Sequence, residues 1–358
     1  MFRKISIIVF AALVLLLDSC KPKDNGDNFD RAGLLTNLGN NIILPAHQTL
    51  KLSSTNLKQK KDAFTGNPSS VTLDSLKAAF LEAYTAYMAV EVYSFTPSAN
   101  MRYLNAFATD TAQILANMNS GSYDLNAASN ISAKGFPAID YLLYSRSSAE
   151  IINLFTTDAN ATKRKQYLND ITNEIETVAA TAATDWSNYL SQFTSANGTD
   201  VGSSVGMLVN DLSYEMERCR RERVGNSLGY IGITSTGVTD PSVLEATYVK
   251  YSKELLVENL NHLKQLYEGG TGSGFDDYLV YLNAEYNGQP LAPVISAQFN
   301  LVIQKAQNIP TDYGTALSSN NAEMESLFLE LKKLTVMIKV DMSSQLGVII
   351  NYSDNDGD

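Results

Sequence analysis

The amino-acid sequence predicts an all-α protein built as two helical bundles, and three observations carry that expectation. The dominant hydrophobic period from about residue 34 to residue 346 is that of a helix. Breaks between periodic segments fall on clusters of Gly, Pro, Asn and Ser. Strand signals shrink to one run, Val348-Ile349-Ile350 with Tyr352, too short to make a sheet alone. A length of 358 residues suits about two domains, and 44% hydrophobic with 18% charged residues is globular usage that excludes a disordered chain.

Leu76, Phe80, Ala83, Tyr84, Tyr87 and Met88 share one helix face. Glu91 continues that face, so its carboxylate is expected to point inward and to need a partner. Leu104, Phe107, Thr111, Leu115 and Met118 form the next stripe, and Tyr167, Ile171, Ile175, Val178, Ala182, Tyr189 and Phe193 a longer one of about seven turns. Beyond them, Val201, Val205, Leu208, Leu212, Met216 and Cys219 keep the period, as do residues 244–267, 295–309 and 324–346. Turn chemistry separates these segments at Thr65-Gly66-Asn67-Pro68, Thr96-Pro97-Ser98, Asn119-Ser120-Gly121-Ser122, residues 269–274 and Ile309-Pro310. The most linker-like stretch, residues 194–204, sets the expected boundary between a first bundle, residues 34–194, and a second, residues 195–358.

At the N-terminus, Arg3 and Lys4 precede an apolar stretch over residues 5–17. As a helix it reaches about 20 Å, short of the roughly 30 Å hydrocarbon core, so residues 1–19 read as a secretory signal rather than a membrane span. Leu17-Asp18-Ser19-Cys20 resembles a bacterial lipobox, with Asp18 departing from the small uncharged residue usual there. That resemblance implies lipidation of Cys20, a polar tether over residues 20–33, and a protein anchored on the outer membrane facing the periplasm or the exterior. Cys219, on an apolar stripe with Cys20 acylated, is then expected to be a core thiol outside any disulfide.

Lys and Arg number 27 against 38 Asp and Glu, and the net charge of −11 repels phosphate backbones, which excludes nucleic acid as a partner. The two histidines, His47 and His262, belong to no H-E-x-x-H or C-x-x-C arrangement, and no nucleophile elbow, phosphate loop or dinucleotide fingerprint is present. His47, beside Pro45, reads as a capping or surface residue. His262 reads as a satisfied, partly buried histidine, although Glu258 one turn before it would also suit an ion pair or two metal ligands. Arg218, Arg220, Arg221 and Arg223 form the densest basic cluster, interleaved with Glu215, Glu217 and Glu222. It reads either as helix-surface pairs such as Glu217–Arg221 and Arg218–Glu222 or as an anion-binding site.

In Gly135-Phe136-Pro137-Ala138-Ile139-Asp140-Tyr141-Leu142-Leu143, Pro137 suits the first turn of a helix and Asp140 the positive end of its dipole. The segment resembles the G-x-H-x-x-E signature of the imelysin family. Residues 216–225 resemble that family's stretch leading into a glycine-containing loop, residues 244–248 the helix after it, and residues 346–358 the ending of versions from Bacteroidetes-type bacteria. The resemblance spans most of the chain beyond residue 35. It implies a relative of a proposed metallopeptidase and a link to iron uptake across the bacterial envelope. Pro137 stands where the family has His and Asp140 where it has Glu, so Gly135, Pro137 and Asp140 form a degenerate motif without its two-ligand face. No catalytic residue is assigned. Glu91, Asp140, Glu217, Arg218 and Arg221 are the candidate binding residues, expected near the cleft between bundles. The cofactor stays open, because iron or another metal would lack a histidine ligand set. The expected work is binding in iron or haem acquisition. A metal-dependent peptidase and a scaffold for an outer-membrane receptor are the alternatives.

Overall fold

Helix α1 (Arg31–Leu38) passes through a π-helical turn, Gly39–Ile43, into α2 (Leu44–Gly66), with Pro45 just after that turn. This computed structural model describes residues 28–95, 97–231, 235–319 and 321–352, so the expected signal segment and Cys20 lie outside the described residues. α3 (Ser70–Tyr87) opens on a capping box formed by Ser69 and Thr72 and packs on α2. α4 (Thr111–Ser120), α5 (Gly135–Tyr144) and α6 (Ser148–Thr156) are shorter, and α7 (Ala161–Ser195) runs along α2. Leu76, Phe80, Ala83, Tyr84, Tyr87 and Met88 are all buried, so the period of α3 is the period of the core.

The chain continues through α8 (Ser204–Arg218) and a π-helical turn, Cys219–Gly225, then α9 (Ser252–Glu268) and α10 (Phe275–Tyr281). α11 (Leu291–Asn308), α12 (Tyr313–Ser319) and α13 (Asn321–Val336) follow, and a third π-helical turn, Met337–Met342, leads to α14 (Ser343–Gln345). The fold is all-α. The described residues from Arg31 onward form one compact unit, and the expected boundary at residues 194/195 falls inside it, where α9 packs on α3. No helix among the described residues is long and apolar enough to cross a membrane.

Several local expectations need correction. The stripe from Leu104 to Met118 is broken: Met101–Leu104 is a 3₁₀ turn, and α4 starts only at Thr111, where the Asp110 side chain accepts the Gln113 N–H as a cap. Leu115 is consequently exposed. Residues 244–251 are not helical. Ala246 and Lys250 both take positive φ, which a helix cannot accommodate, and α9 begins at Ser252. Val348-Ile349-Ile350 pairs with no strand; Asn210 of α8 clamps this segment instead, donating to the Ile349 carbonyl at 3.0 Å and accepting the Asn351 N–H at 2.8 Å. The one described hairpin, β1 (Glu285–Tyr286) with β2 (Gln289–Pro290), turns on Asn287-Gly288 with both φ positive, the usual chemistry of a two-residue turn.

His47 is neither a cap nor a surface residue. It is buried in the first turn of α2, with Nδ1–H donating to the Ile43 carbonyl at 2.8 Å, and it accepts at Nε2 from the Ser98 hydroxyl at 2.8 Å. Trp186 Nε1–H in turn donates to Ser98 Oγ at 2.7 Å. Burial pushes the imidazole down to about 4, so it stays neutral.

Candidate functional site

A buried charged cluster is assembled from four parts of the chain. Glu91 lies one turn beyond the end of α3, its N–H bonded to the Tyr87 carbonyl, and is 2% exposed. Arg218 Nη1 donates to Glu91 Oε1 at 2.7 Å and to Glu215 Oε2 at 3.1 Å. Arg223 donates through Nη2 to Glu91 Oε2, through Nη1 to Glu215 Oε1 at 2.6 Å, and through Nε to Glu245 Oε2 at 2.8 Å. Asn105 completes the set, donating to Glu245 Oε1 at 2.6 Å and Glu91 Oε1 at 3.1 Å while its own oxygen accepts the Tyr84 hydroxyl at 2.6 Å.

Phase explains the membership. Arg218 and Arg223 are five residues apart, which an α-helix would splay to different faces. The π-helical turn Cys219–Gly225 widens the helix to i→i+5 bonding and brings both to the same side. α-Helical spacing would favour Glu217 and Arg221, and those two expectations are corrected here. Glu217 bonds Arg220 at 2.6 Å and Lys339 at 3.6 Å, away from Glu91, and Arg221 lies half-buried on the same turn. Of the expected surface pairs, Arg218–Glu222 forms at 2.9 Å.

Three buried carboxylates, Glu91, Glu215 and Glu245, thus face two buried guanidinium groups. Burial works against ionised Glu91, but Arg218 and Arg223 outweigh it and hold that carboxyl below its usual range. Burial raises Glu245, Arg223 opposes it, and repulsion from Glu91 adds to the rise, so Glu245 holds its proton to higher pH than an ordinary carboxyl does. Cys219 is buried beside the cluster, and its Sγ–H donates to Asn259 Oδ1 at 3.0 Å. Burial pushes this thiol up to about 12, which suits a core residue rather than a nucleophile.

The motif helix α5 braces the cluster without entering it. Phe136 stacks on Tyr84 at 4.6 Å between ring centroids, and Tyr84 carries the contact on to Asn105. Asp140, expected to meet Glu91 and an arginine, instead accepts the backbone N–H of Tyr248 at 3.0 Å and of Val249 at 2.9 Å. It is a clip on the 244–251 turn that presents Glu245. A second aspartate, Asp211 of α8, holds Ser94 in the same way through the Ser94 N–H at 2.7 Å and its hydroxyl.

Burial raises Asp140 and Asp211 to about 7, against the lowering effect of their hydrogen bonds. Between the unfolded value of 3.8 and about 7 the folded protein therefore binds more protons than the unfolded chain. The contribution of each aspartate to stability is full below 3.8 and is lost as pH rises through about 7. Urea titrations across that window are expected to show Asp140→Asn flattening the pH dependence by up to ~1.4 kcal/mol per pH unit. An unchanged slope would contradict the assignment.

The residues at the motif do not fit a resident metal. Pro137 has no side-chain lone pair to offer, both Asp140 oxygens accept backbone N–H groups, and each Glu91 oxygen accepts from an arginine. Among the described residues no three His, Cys, Asp or Glu side chains are placed to share an ion.

The fold is similar to the crystal structure of an imelysin-like protein from Psychrobacter arcticum 273-4, with a TM-score of 0.66 at 16% identity over 90% of this chain and 97% of that one. It is also similar to a protein from Parabacteroides distasonis ATCC 8503 described as an iron-regulated protein A precursor, with a TM-score of 0.65 at 13% identity over 92% and 97%. No curated protein sequence matches the chain. The family model described as Imelysin matches residues 43–337, which take in α3, the motif helix, the π-helical turn and α9, and the chain therefore belongs to the imelysin family.

Proposed function

We propose that this imelysin-family chain works by binding, in iron or haem acquisition at the bacterial envelope, and does not hydrolyse peptides. The observation that carries the reading is the use made of the motif carboxylate. Asp140 spends both oxygens on the 244–251 turn, and Pro137 has no side chain that can ligate, so the motif positions serve architecture. We read them as a degenerate form of the family signature. Family membership and a structural neighbour described as iron-regulated support the iron association. In the same reading Cys20 carries a lipid anchor that places the body on the outer membrane, facing the periplasm or the exterior.

Deleting the gene is expected to slow growth when iron or haem is scarce and to leave growth in iron-replete medium unchanged. Equal growth under both conditions would remove the iron reading. Cys20→Ala is expected to release the protein into the soluble fraction with no acyl mass. A wild-type N-terminus without acylation would remove the anchor.

A further inference from the structure

One cleft serves neither the cluster nor the motif. A cleft of about 270 Å³ opens between α9, the start of α2 and the end of α3, with Pro45 and Ala89 on one wall and Glu258, Asn261, His262 and Gln265 on the other. Glu258 and His262 are four residues apart on α9 and so share a helix face. His262 is 6% exposed, and its Nε2 is bonded to the Tyr93 hydroxyl at 2.9 Å. Tyr93 is not among the walls of the cleft, and Nδ1 has no hydrogen-bond partner and is not sealed from solvent. Of the two histidines, His47 spends both nitrogens inside the protein, whereas His262 keeps one.

Glu258 is half-buried and forms no ion pair or hydrogen bond, and no Lys or Arg lines the cleft. The geometry points to a site for a divalent transition-metal cation in this cleft, held by His262 Nδ1 and the Glu258 carboxylate. Imidazole nitrogen selects such ions over calcium or magnesium. Binding fixes the tautomer: Nε2–H donates to Tyr93 Oη, which leaves the Nδ1 lone pair for the metal, the outer hydrogen bond that metal-binding histidines ordinarily make. Burial lowers the imidazole to about 3, so no proton competes for Nδ1 near neutral pH. Two protein ligands are fewer than a closed structural site uses, so amide oxygens of Asn261 and Gln265 and water complete the shell. The site stands apart from the motif and does not depend on the iron reading.

The test is a zinc titration of the untagged protein followed by nitrogen-15 NMR of its two histidine rings. Zinc is expected to move the His262 resonances and leave those of His47 in place, and Glu258→Gln is expected to weaken binding by about tenfold or more. Glu258 has no partner to lose, so this variant keeps its fold, and circular dichroism checks that it does. Zinc that moves neither ring, or that binds Glu258→Gln as tightly as wild type, would overturn the site.

Discussion

Replacing Arg223 with methionine is expected to destabilise the protein by at least about 3–5 kcal/mol, the cost of stripping one partner from a buried ion pair. Here one guanidinium serves Glu91, Glu215 and Glu245 at once, and its side chain is 2% exposed. Methionine fills much of the volume but leaves three buried carboxylates facing Arg218 alone. Two of them would have to take up protons for the core to close, so the variant is expected to lose stability more steeply as pH rises above the ordinary carboxylate range. Lys333→Met gives the contrast, because its pair with Glu330 involves a lysine that is 61% exposed and should be worth well under about 1 kcal/mol. Urea midpoints for the two variants check the difference. A loss below about 1 kcal/mol for Arg223→Met would mean that the buried cluster contributes little to the folded state.

Gly135→Ala is expected to be comparably severe. Gly135 takes φ of +66°, and a Cβ there would lie 2.0 Å from the Leu104 carbonyl oxygen. The left-handed backbone costs alanine about 1–2 kcal/mol, and the clash with main chain cannot be relieved by a rotamer, so the total is expected to exceed ~4 kcal/mol. The damage spreads because α5 starts at this residue and carries both Phe136, stacked on Tyr84, and Asp140, the clip on the 244–251 turn. Gly66→Ala is the control: nothing lies within 4 Å of its added Cβ, and a neutral to slightly stabilised protein is expected. Thermal melts of both variants decide the matter, and equal melting temperatures would contradict the close approach.

Much of this was legible in the sequence because burial follows period. The helix face from Leu76 to Met88 extends to Glu91, and the same reasoning applied to Leu208, Leu212 and Met216 points to Glu215 as a second inward carboxylate. What periodicity could not supply was the change of phase at Cys219–Gly225, where a π-helical turn exchanges Arg221 for Arg223. Helical spacing assumed through that stretch selects the wrong arginine. Glu245 was hidden for a related reason, since residues 244–251 read as the start of α9 and instead form a turn with Ala246 and Lys250 at positive φ. Neither residue type announces that conformation. Asn287-Gly288 does, and the hairpin it makes was open to recognition. Asp140 lay on the expected helix, but its partners are backbone N–H groups, which carry no mark in a sequence.

If the motif carboxylate and its neighbours are structural, the protein hydrolyses no peptide bond. Purified protein incubated with a peptide library is expected to release no more product than the same sample treated with a chelator. Cleavage that depends on a bound metal, lost with chelator and restored by zinc or iron, would contradict it.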